Sequence, residues 1–96
     1  MAFVVTAKWT AKEGHEDDVR DAILRLIEPS RNEPGNLCYR ANRHPEDRGV
    51  FFLYEEYVDA AAYQSHGSSE HFQTYGHGKA IPLLESRERV FYETLD

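Results

Sequence analysis

The segment from Phe52 to Phe72 carries the side chains best suited to chemistry. An aromatic strand reaches two adjacent carboxylates, Glu55 and Glu56. A short helix then ends at His66, and a further helix opens near His71. A carboxylate and an imidazole within reach of one substrate can serve as general base and proton carrier. Because strand, turn and helix follow one another directly, we expect Glu55 and His66 to reach one pocket as its catalytic residues.

Glu55 has two interpretations. Side chains alternate across a strand, so Glu55 shares a face with the apolar Phe51 and Leu53. Burying a carboxylate on such a face costs free energy and raises its pKa unless a partner compensates. The functional interpretation is a base or an anchor for a substrate hydroxyl. The structural interpretation is an ion pair with Arg40 or Arg89.

His66 also has two interpretations, both set by its place at the end of a helix. As a pocket residue it would move a proton to or from a phenolic substrate. As a structural residue it would bind the free backbone carbonyls at the helix C-terminus. The sequence leaves both open.

The histidines are not spaced like metal ligands. His71 and His77 are six residues apart, which places them on different faces of a helix. The chain has no His-x-x-x-His pair, and Cys38 is its single cysteine. It also lacks the glycine-rich motifs that bind nucleotide cofactors. We therefore expect no metal and no cofactor, with ligands from separate elements as the open alternative.

Aromatic side chains make up 12% of the chain, which is enough to line a pocket as well as a core. Such a pocket would suit a small, flat aromatic substrate. The alternative is that most of these rings belong to the core or to an interface. The side chains expected to bind the substrate are Trp9, Tyr57, His71, Phe72 and Tyr75.

Hydrophobic periodicity predicts the elements that position these residues. The order is β-α-β-β-α-α-β in a single domain over residues 1–96, which is typical of a ferredoxin-like α+β sandwich with an antiparallel four-stranded sheet. The predicted strands cover 2–10, 37–43, 50–58 and 86–95, with a helix from about 15 towards 32 and two helices after 59.

The strands are apolar on both faces, which predicts a homodimer. Phe51 and Leu53 point one way, and Phe52 and Tyr54 point the other. Three helices cover only one face of a sheet, so the other would remain exposed. A second copy packed sheet against sheet would cover it.

Composition excludes several function classes. The net charge of −6 repels phosphate backbones and anionic membranes, so we expect no nucleic-acid or membrane partner. No stretch is apolar enough to span a bilayer, and Met1 leads into a strand rather than a signal peptide. With a single cysteine, these features predict a cytoplasmic protein.

The chain resembles the antibiotic-biosynthesis-monooxygenase superfamily. A second matching segment, Glu33 to Tyr39, is similar to the family's Glu-Pro-Gly entry into strand two. The resemblance implies a dimeric α+β barrel and a cofactor-independent monooxygenase that oxidises a quinol or phenolic substrate with dioxygen. The residues that carry it in the central segment are Glu55, Tyr57, His66, Ser69, His71 and Phe72.

The resemblance leaves two other functions. One is a ligand-binding or stress-related module that uses the same pocket without turnover. The other is haem degradation, from which this chain departs. It has Thr6, Ala7 and Lys8 where that branch has a strand-one asparagine, and His66 where it has tryptophan. The histidine expected to bind iron falls at Gly76 or is displaced to His77.

Overall fold

The predicted order of elements is confirmed. A computed structural model describes the whole chain, residues 1–96. The last strand begins two residues before its predicted start, and the third helix has wide π-type turns. The elements are β1 (Phe3–Ala11), α1 (Glu16–Arg31), β2 (Asn36–Arg43), β3 (Val50–Tyr57), α2 (Ala60–Ser68), α3 (Phe72–Ala80), a short 3-10 turn (Ile81–Leu83) and β4 (Leu84–Glu93).

Helix α1 forms where the charge and apolar patterns predict it. Its first turn carries Glu16, Asp17 and Asp18, whose negative charges favour the positive end of the helix dipole. Pro29 lies inside the helix, and the chain stays helical past it to Arg31. A proline has no N–H to donate to the carbonyl four residues earlier, so the last turn of α1 forms without that hydrogen bond. The buried stripe of α1 is Val19, Ala22, Ile23, Leu26 and Ser30.

The register of the antiparallel sheet fixes which side chains meet on one face. The strand order is β2-β3-β1-β4. Val5 of β1 lies opposite Glu55 of β3 and Phe91 of β4. Trp9, two positions along the same face, lies opposite Phe51 and Arg87. This face therefore carries the acidic Glu55 near one end of the sheet and the cationic Arg87 near the other.

The helices cover that face and leave the opposite one open. The core lies between α1 and the sheet, with Trp9, Leu26 and Leu53 almost fully buried. On the uncovered face Phe52 is 43% exposed and Tyr92 is 53% exposed. The prediction that three helices would cover one face is confirmed. No helix has the length and apolar character needed to cross a bilayer.

Candidate active site

His66 is held at the junction of α2 and α3. The Asp59 side chain caps α2 by accepting a hydrogen bond from the Ala62 amide at 2.9 Å. The Ser69 hydroxyl donates to the His66 carbonyl at 2.6 Å and accepts from the Phe72 amide at 3.2 Å. The junction fixes the backbone of His66, whose side chain is 2% exposed.

Glu33 orients the imidazole of His66. Its Oε2 lies 2.8 Å from Nδ1 of His66 and 2.5 Å from Nε2 of His71. A carboxylate accepts, so Nδ1 of His66 is the donor in this pair, and Nε2 points towards the sheet. There Nε2 lies 3.8 Å from Oε1 of Glu55. Glu33, His66 and Glu55 thus lie in a row, with the imidazole of His66 between the two carboxyl groups.

A close backbone contact places Glu33 in this row. Gly35, two residues later, packs so tightly against α2 that a side chain there would collide with the methyl group of Ala62. Its carbonyl accepts a hydrogen bond from the Val58 amide at 2.9 Å. Only glycine permits this approach, so the Glu-Pro-Gly turn is drawn against the base of α2.

Glu55 is the buried acid of the site. Its side chain is 6% exposed, and its Oε1 accepts a hydrogen bond from the Tyr57 hydroxyl at 2.7 Å. Burial raises the pKa of the Glu55 carboxyl, opposed in part by the Tyr57 hydrogen bond and by His66. The structural interpretation of Glu55, an ion pair with Arg40 or Arg89, does not hold. Arg40 lies opposite Tyr54, on the other face of the sheet, and Arg89 lies outside ion-pair distance.

Two buried tyrosines, Tyr57 and Tyr39, lie next to Glu55. Tyr57 is fully buried, and Tyr39, opposite Glu55 in the β2–β3 register, is 2% exposed. Burial, reinforced by the negative charge of Glu55, raises the pKa of both hydroxyls, so both stay protonated at neutral pH. The hydrogen bond from Tyr57 fixes the carboxyl without competing for its proton.

A cavity of about 270 Å³ opens in front of this acid, and we name it the Glu55 cavity. It lies between β1, β4 and the two short helices. Of the predicted site residues, Trp9, Glu55, His66 and Phe72 line it together. The remaining lining residues are Val5, Ala7, Tyr63, Gln64, Gly67, His77, Arg87 and Arg89.

Three predicted substrate-binding residues lie elsewhere. Tyr57 is buried behind Glu55, and His71 contacts Glu33 outside the cavity. Tyr75 lines a separate, more open cleft between α1 and α3, where the Arg25 guanidinium lies 5.9 Å from its ring centre. The physical reason is the winding of α3. Its turns are wider than those of an α-helix, so Tyr75 and Phe72, three residues apart, no longer share a face.

The sequence prediction missed Glu33 and Arg87 as site residues and considered Arg89 only as a possible ion-pair partner of Glu55. Glu33 belongs to a segment noted only for its family likeness, and its contact with His66 spans 33 positions. Arg87 and Arg89 alternate along β4 on the face that carries Trp9 and Ala7. That alternation was the available signal, since it places two cations opposite the apolar wall of the cavity.

One group of side chains has the composition of a metal site. Ligand atoms of Glu33, His66 and His71 all lie within 4.8 Å of one another. Zinc bonds of about 2.0–2.1 Å would separate tetrahedral ligand atoms by about 3.3 Å. The observed separations of 2.8 and 2.5 Å are hydrogen-bond lengths instead. The carboxylate is therefore already bonded to both imidazoles, and an ion would have to displace those protons.

We expect the purified protein to be colourless and free of stoichiometric metal or flavin. The hydrogen bonds of Glu33 to the two histidines compete with an ion for the same lone pairs. Elemental analysis and an absorbance spectrum of protein purified without chelator would check this. One equivalent of zinc, copper or iron, lost in a Glu33→Gln variant, would contradict it.

The comparisons with known proteins agree on a family. The model of the family described as antibiotic biosynthesis monooxygenase matches residues 2–77. None of the curated proteins matches the chain. The chain is similar to a solved protein of Pseudomonas aeruginosa at 28% identity, covering 99% of this chain and 95% of that one, with a TM-score of 0.91.

Two further structures show the same likeness. A protein of Shewanella oneidensis is 29% identical, covering 95% of this chain and 88% of that one, with a TM-score of 0.87. A structure described as an antibiotic biosynthesis monooxygenase is 26% identical, covering 98% of this chain and 99% of that one, with a TM-score of 0.90. The likeness extends over the whole domain.

Proposed function

The chain belongs to the antibiotic biosynthesis monooxygenase family, and we propose that it oxidises a quinol or phenolic substrate with dioxygen without a cofactor. One observation carries this proposal above the others. A buried carboxyl with a raised pKa, Glu55, lies beside an oriented imidazole, His66, in the wall of an aromatic cavity. A base, a neighbouring group that carries the proton onward and a cavity that excludes water are what the removal of a phenolic proton requires.

The size and lining of the Glu55 cavity suit a small ring system. Its 270 Å³ lies just below the range of about 300–1,000 Å³ that is common for drug-sized ligands. Trp9 and Phe72 supply aromatic walls for a flat substrate. We therefore expect one or two fused rings. Haem is larger than such a ligand, and Gly76 has no side chain to bind iron. The size of the cavity therefore favours a small ring over haem, although His77 also lines it.

Glu55 would take the phenolic proton and His66 would carry it onward. The raised pKa of Glu55 brings its proton affinity closer to that of a phenol. Nε2 of His66 lies next to Glu55, while Nδ1 donates to Glu33. A proton that reaches Nε2 places positive charge on the ring, which the Glu33 carboxylate stabilises, as the acid does in an acid–imidazole–nucleophile triad.

Oxidation then proceeds with electrons from the substrate. The deprotonated ring donates an electron to dioxygen, and the resulting radicals combine at a ring carbon to give a peroxide. The peroxide O–O bond breaks, one oxygen atom stays on carbon as a quinone carbonyl, and the other leaves as water. The two hydrogens of that water are the phenolic proton and the hydrogen displaced from the ring carbon. The protein supplies proton transfer and a dry site for the anion.

Oxygen uptake by chelator-treated protein tests this function. One- and two-ring hydroquinones and phenols should be consumed faster than in buffer, and three-ring analogues should not, because the cavity excludes them. Heat-denatured protein at the same concentration serves as the control for autoxidation. A wild-type protein that binds these rings but consumes no oxygen would leave a ligand-binding module as the function.

We also propose that the active protein is a homodimer. The uncovered sheet face presents Phe52, Val90 and Tyr92, each between 43% and 53% exposed. Large apolar side chains exposed together on one sheet face mark interaction sites. A second copy offers the same apolar face and buries both.

The dimer should sediment as a single species at micromolar concentration. A Phe52→Asp, Val90→Asp double variant should sediment as a monomer, because two charges would be buried in the interface. Leu24→Asp is the matched control, since Leu24 is 58% exposed but lies on α1, away from that face. A wild-type monomer at these concentrations would contradict the proposal.

A further inference from the structure

We propose that the substrate carries an anionic group, most simply a carboxylate, at the end of the ring system distant from Glu55, bound by Arg87, Arg89 and the Trp9 indole. The inference rests on the proposed function for one point only, the placement of the ring hydroxyl at Glu55. The cationic end of the cavity is observed independently of any reaction.

The two arginines give the Glu55 cavity a positive end. Both lie on β4 and face the helices, Arg89 opposite Ala7 and Arg87 opposite Trp9. Neither has a carboxylate within ion-pair distance, although the chain has 17 acidic residues and a net charge of −6. Arg87 and Arg89 are exposed along one side, whereas Arg20 and Arg43 are less exposed and do pair with aspartates. A guanidinium fork binds a carboxylate with two parallel hydrogen bonds.

Trp9 adds a buried donor that lacks an acceptor. The residue is 2% exposed and lines the cavity, and its Nε1–H has no hydrogen-bond partner in the protein. A buried N–H without a partner is destabilising, and native structures contain few of them. A ligand oxygen at this end of the cavity would satisfy the indole together with Arg87, its neighbour across the β1–β4 register.

The register gives the distance between the two ends. Glu55 lies level with Val5, Arg89 with Ala7 and Arg87 with Trp9. At about 3.4 Å per residue, the backbone of Arg89 is about 7 Å and that of Arg87 about 14 Å along β1 from the level of Glu55. The Arg89 guanidinium reaches back over Phe91, which is level with Glu55, so Arg87 marks the distant end of the cavity. A hydroxyl and a carboxylate on opposite ends of a one- or two-ring system span this interval. Neighbouring substituents on one ring would not.

The position of Arg89 is explained by its contacts within the chain. Arg89 donates to the Tyr63 hydroxyl at 2.9 Å, and its guanidinium lies 5.7 Å from the Phe91 ring centre. These contacts account for its position on β4 but leave its charge unpaired. Arg87 has no side-chain hydrogen bond or ion pair within the chain, so the test weighs Arg87 and Arg89 separately.

Calorimetric binding measured in anaerobic buffer tests the proposal without turnover, because no dioxygen is present to oxidise the probe. The probe is 6-hydroxy-2-naphthoate, with its uncharged amide and 3-hydroxy-2-naphthoate as matched comparisons. We expect the 6-hydroxy acid to bind about tenfold tighter than the amide, because charge-assisted hydrogen bonds exceed neutral ones and exposure reduces the gain. It should also bind more tightly than the 3-hydroxy isomer, and the preference should shrink at high salt.

Variants assign the preference to the arginines. Arg87→Gln and Arg89→Gln should each reduce it, and the double variant should bind acid and amide equally. Arg87→Lys should retain part of it, and Arg48→Gln, on the distant β2–β3 loop, should change nothing. Equal binding of acid and amide by the wild type, or no binding of any probe, would overturn the proposal. Carboxylate-selective binding without oxygen uptake would uphold this inference and reject the proposed function.

Discussion

A Glu55→Gln variant should lose about 100- to 10,000-fold in the rate of oxygen uptake while remaining as stable as the wild type at neutral pH. Glutamine cannot accept the phenolic proton. Its amide oxygen can still accept the hydrogen bond that Tyr57 donates to Glu55 at 2.7 Å. The comparison is steady-state oxygen uptake and melting temperature measured on the same preparations.

The difference in stability between the Glu55→Gln variant and the wild type should depend on pH in a defined direction. The pKa of Glu55 is raised in the folded protein above its usual value of 4.5. Between the two values the folded state binds more protons than the unfolded state, so the free energy of unfolding falls as pH rises through that window. The free energy of unfolding of the Glu55→Gln variant does not fall in this way, because glutamine does not titrate. Its melting temperature relative to wild type should therefore rise with pH across the window and show no such trend below it.

Activity should follow the same group in the opposite direction. The wild-type rate should rise with pH as Glu55 loses its proton, because only the carboxylate accepts the phenolic proton. A variant with full activity, or one that loses activity only in proportion to its loss of folded protein, would remove Glu55 from the mechanism.

A His66→Asn variant should lose a similar factor, about 100- to 10,000-fold. The asparagine amide can place a donor near the position of Nδ1 and keep the hydrogen bond to Glu33. It has nothing in place of Nε2, which lies 3.8 Å from Glu55. The rate should therefore fall without a matching fall in melting temperature.

His71→Asn is the control for this variant. His71 also binds Oε2 of Glu33, but it does not line the Glu55 cavity. Its replacement should leave the rate close to wild type. Combining His66→Asn with Glu33→Gln should cost little more than His66→Asn alone, because Glu33 acts through His66. Two independent, additive losses would show that Glu33 has a separate role.

The features that the sequence predicted best are those set by local patterns. The range of α1 and the alternation of β3 depend on neighbours within a few positions, and both are confirmed. The alternation put Glu55 on the face of Phe51 and Leu53, and the structure shows that the helices cover this face, where the Glu55 side chain is 6% exposed. Burial on that face follows from the strand period and needs no knowledge of the partners.

The features that the sequence could not supply depend on contacts between distant segments. The hydrogen bond from His66 to Glu33 requires the close approach of Gly35 to Ala62, which no local sequence pattern predicts. Tyr75 was placed in the pocket on α-helical spacing, and the wide turns of α3 move it to another cleft. Arg89 was considered as an ion-pair partner of Glu55, yet it binds the Tyr63 hydroxyl.

The central claim is that this pocket inserts oxygen without a cofactor, and labelled dioxygen tests it most directly. Chelator-treated protein would be mixed with a two-ring phenol under isotopically heavy dioxygen, and the product would be analysed by mass spectrometry. We predict a quinone that carries one heavy oxygen atom, formed at a rate that Glu55→Gln reduces. An unlabelled product, or one formed equally fast by the variant, would contradict the account.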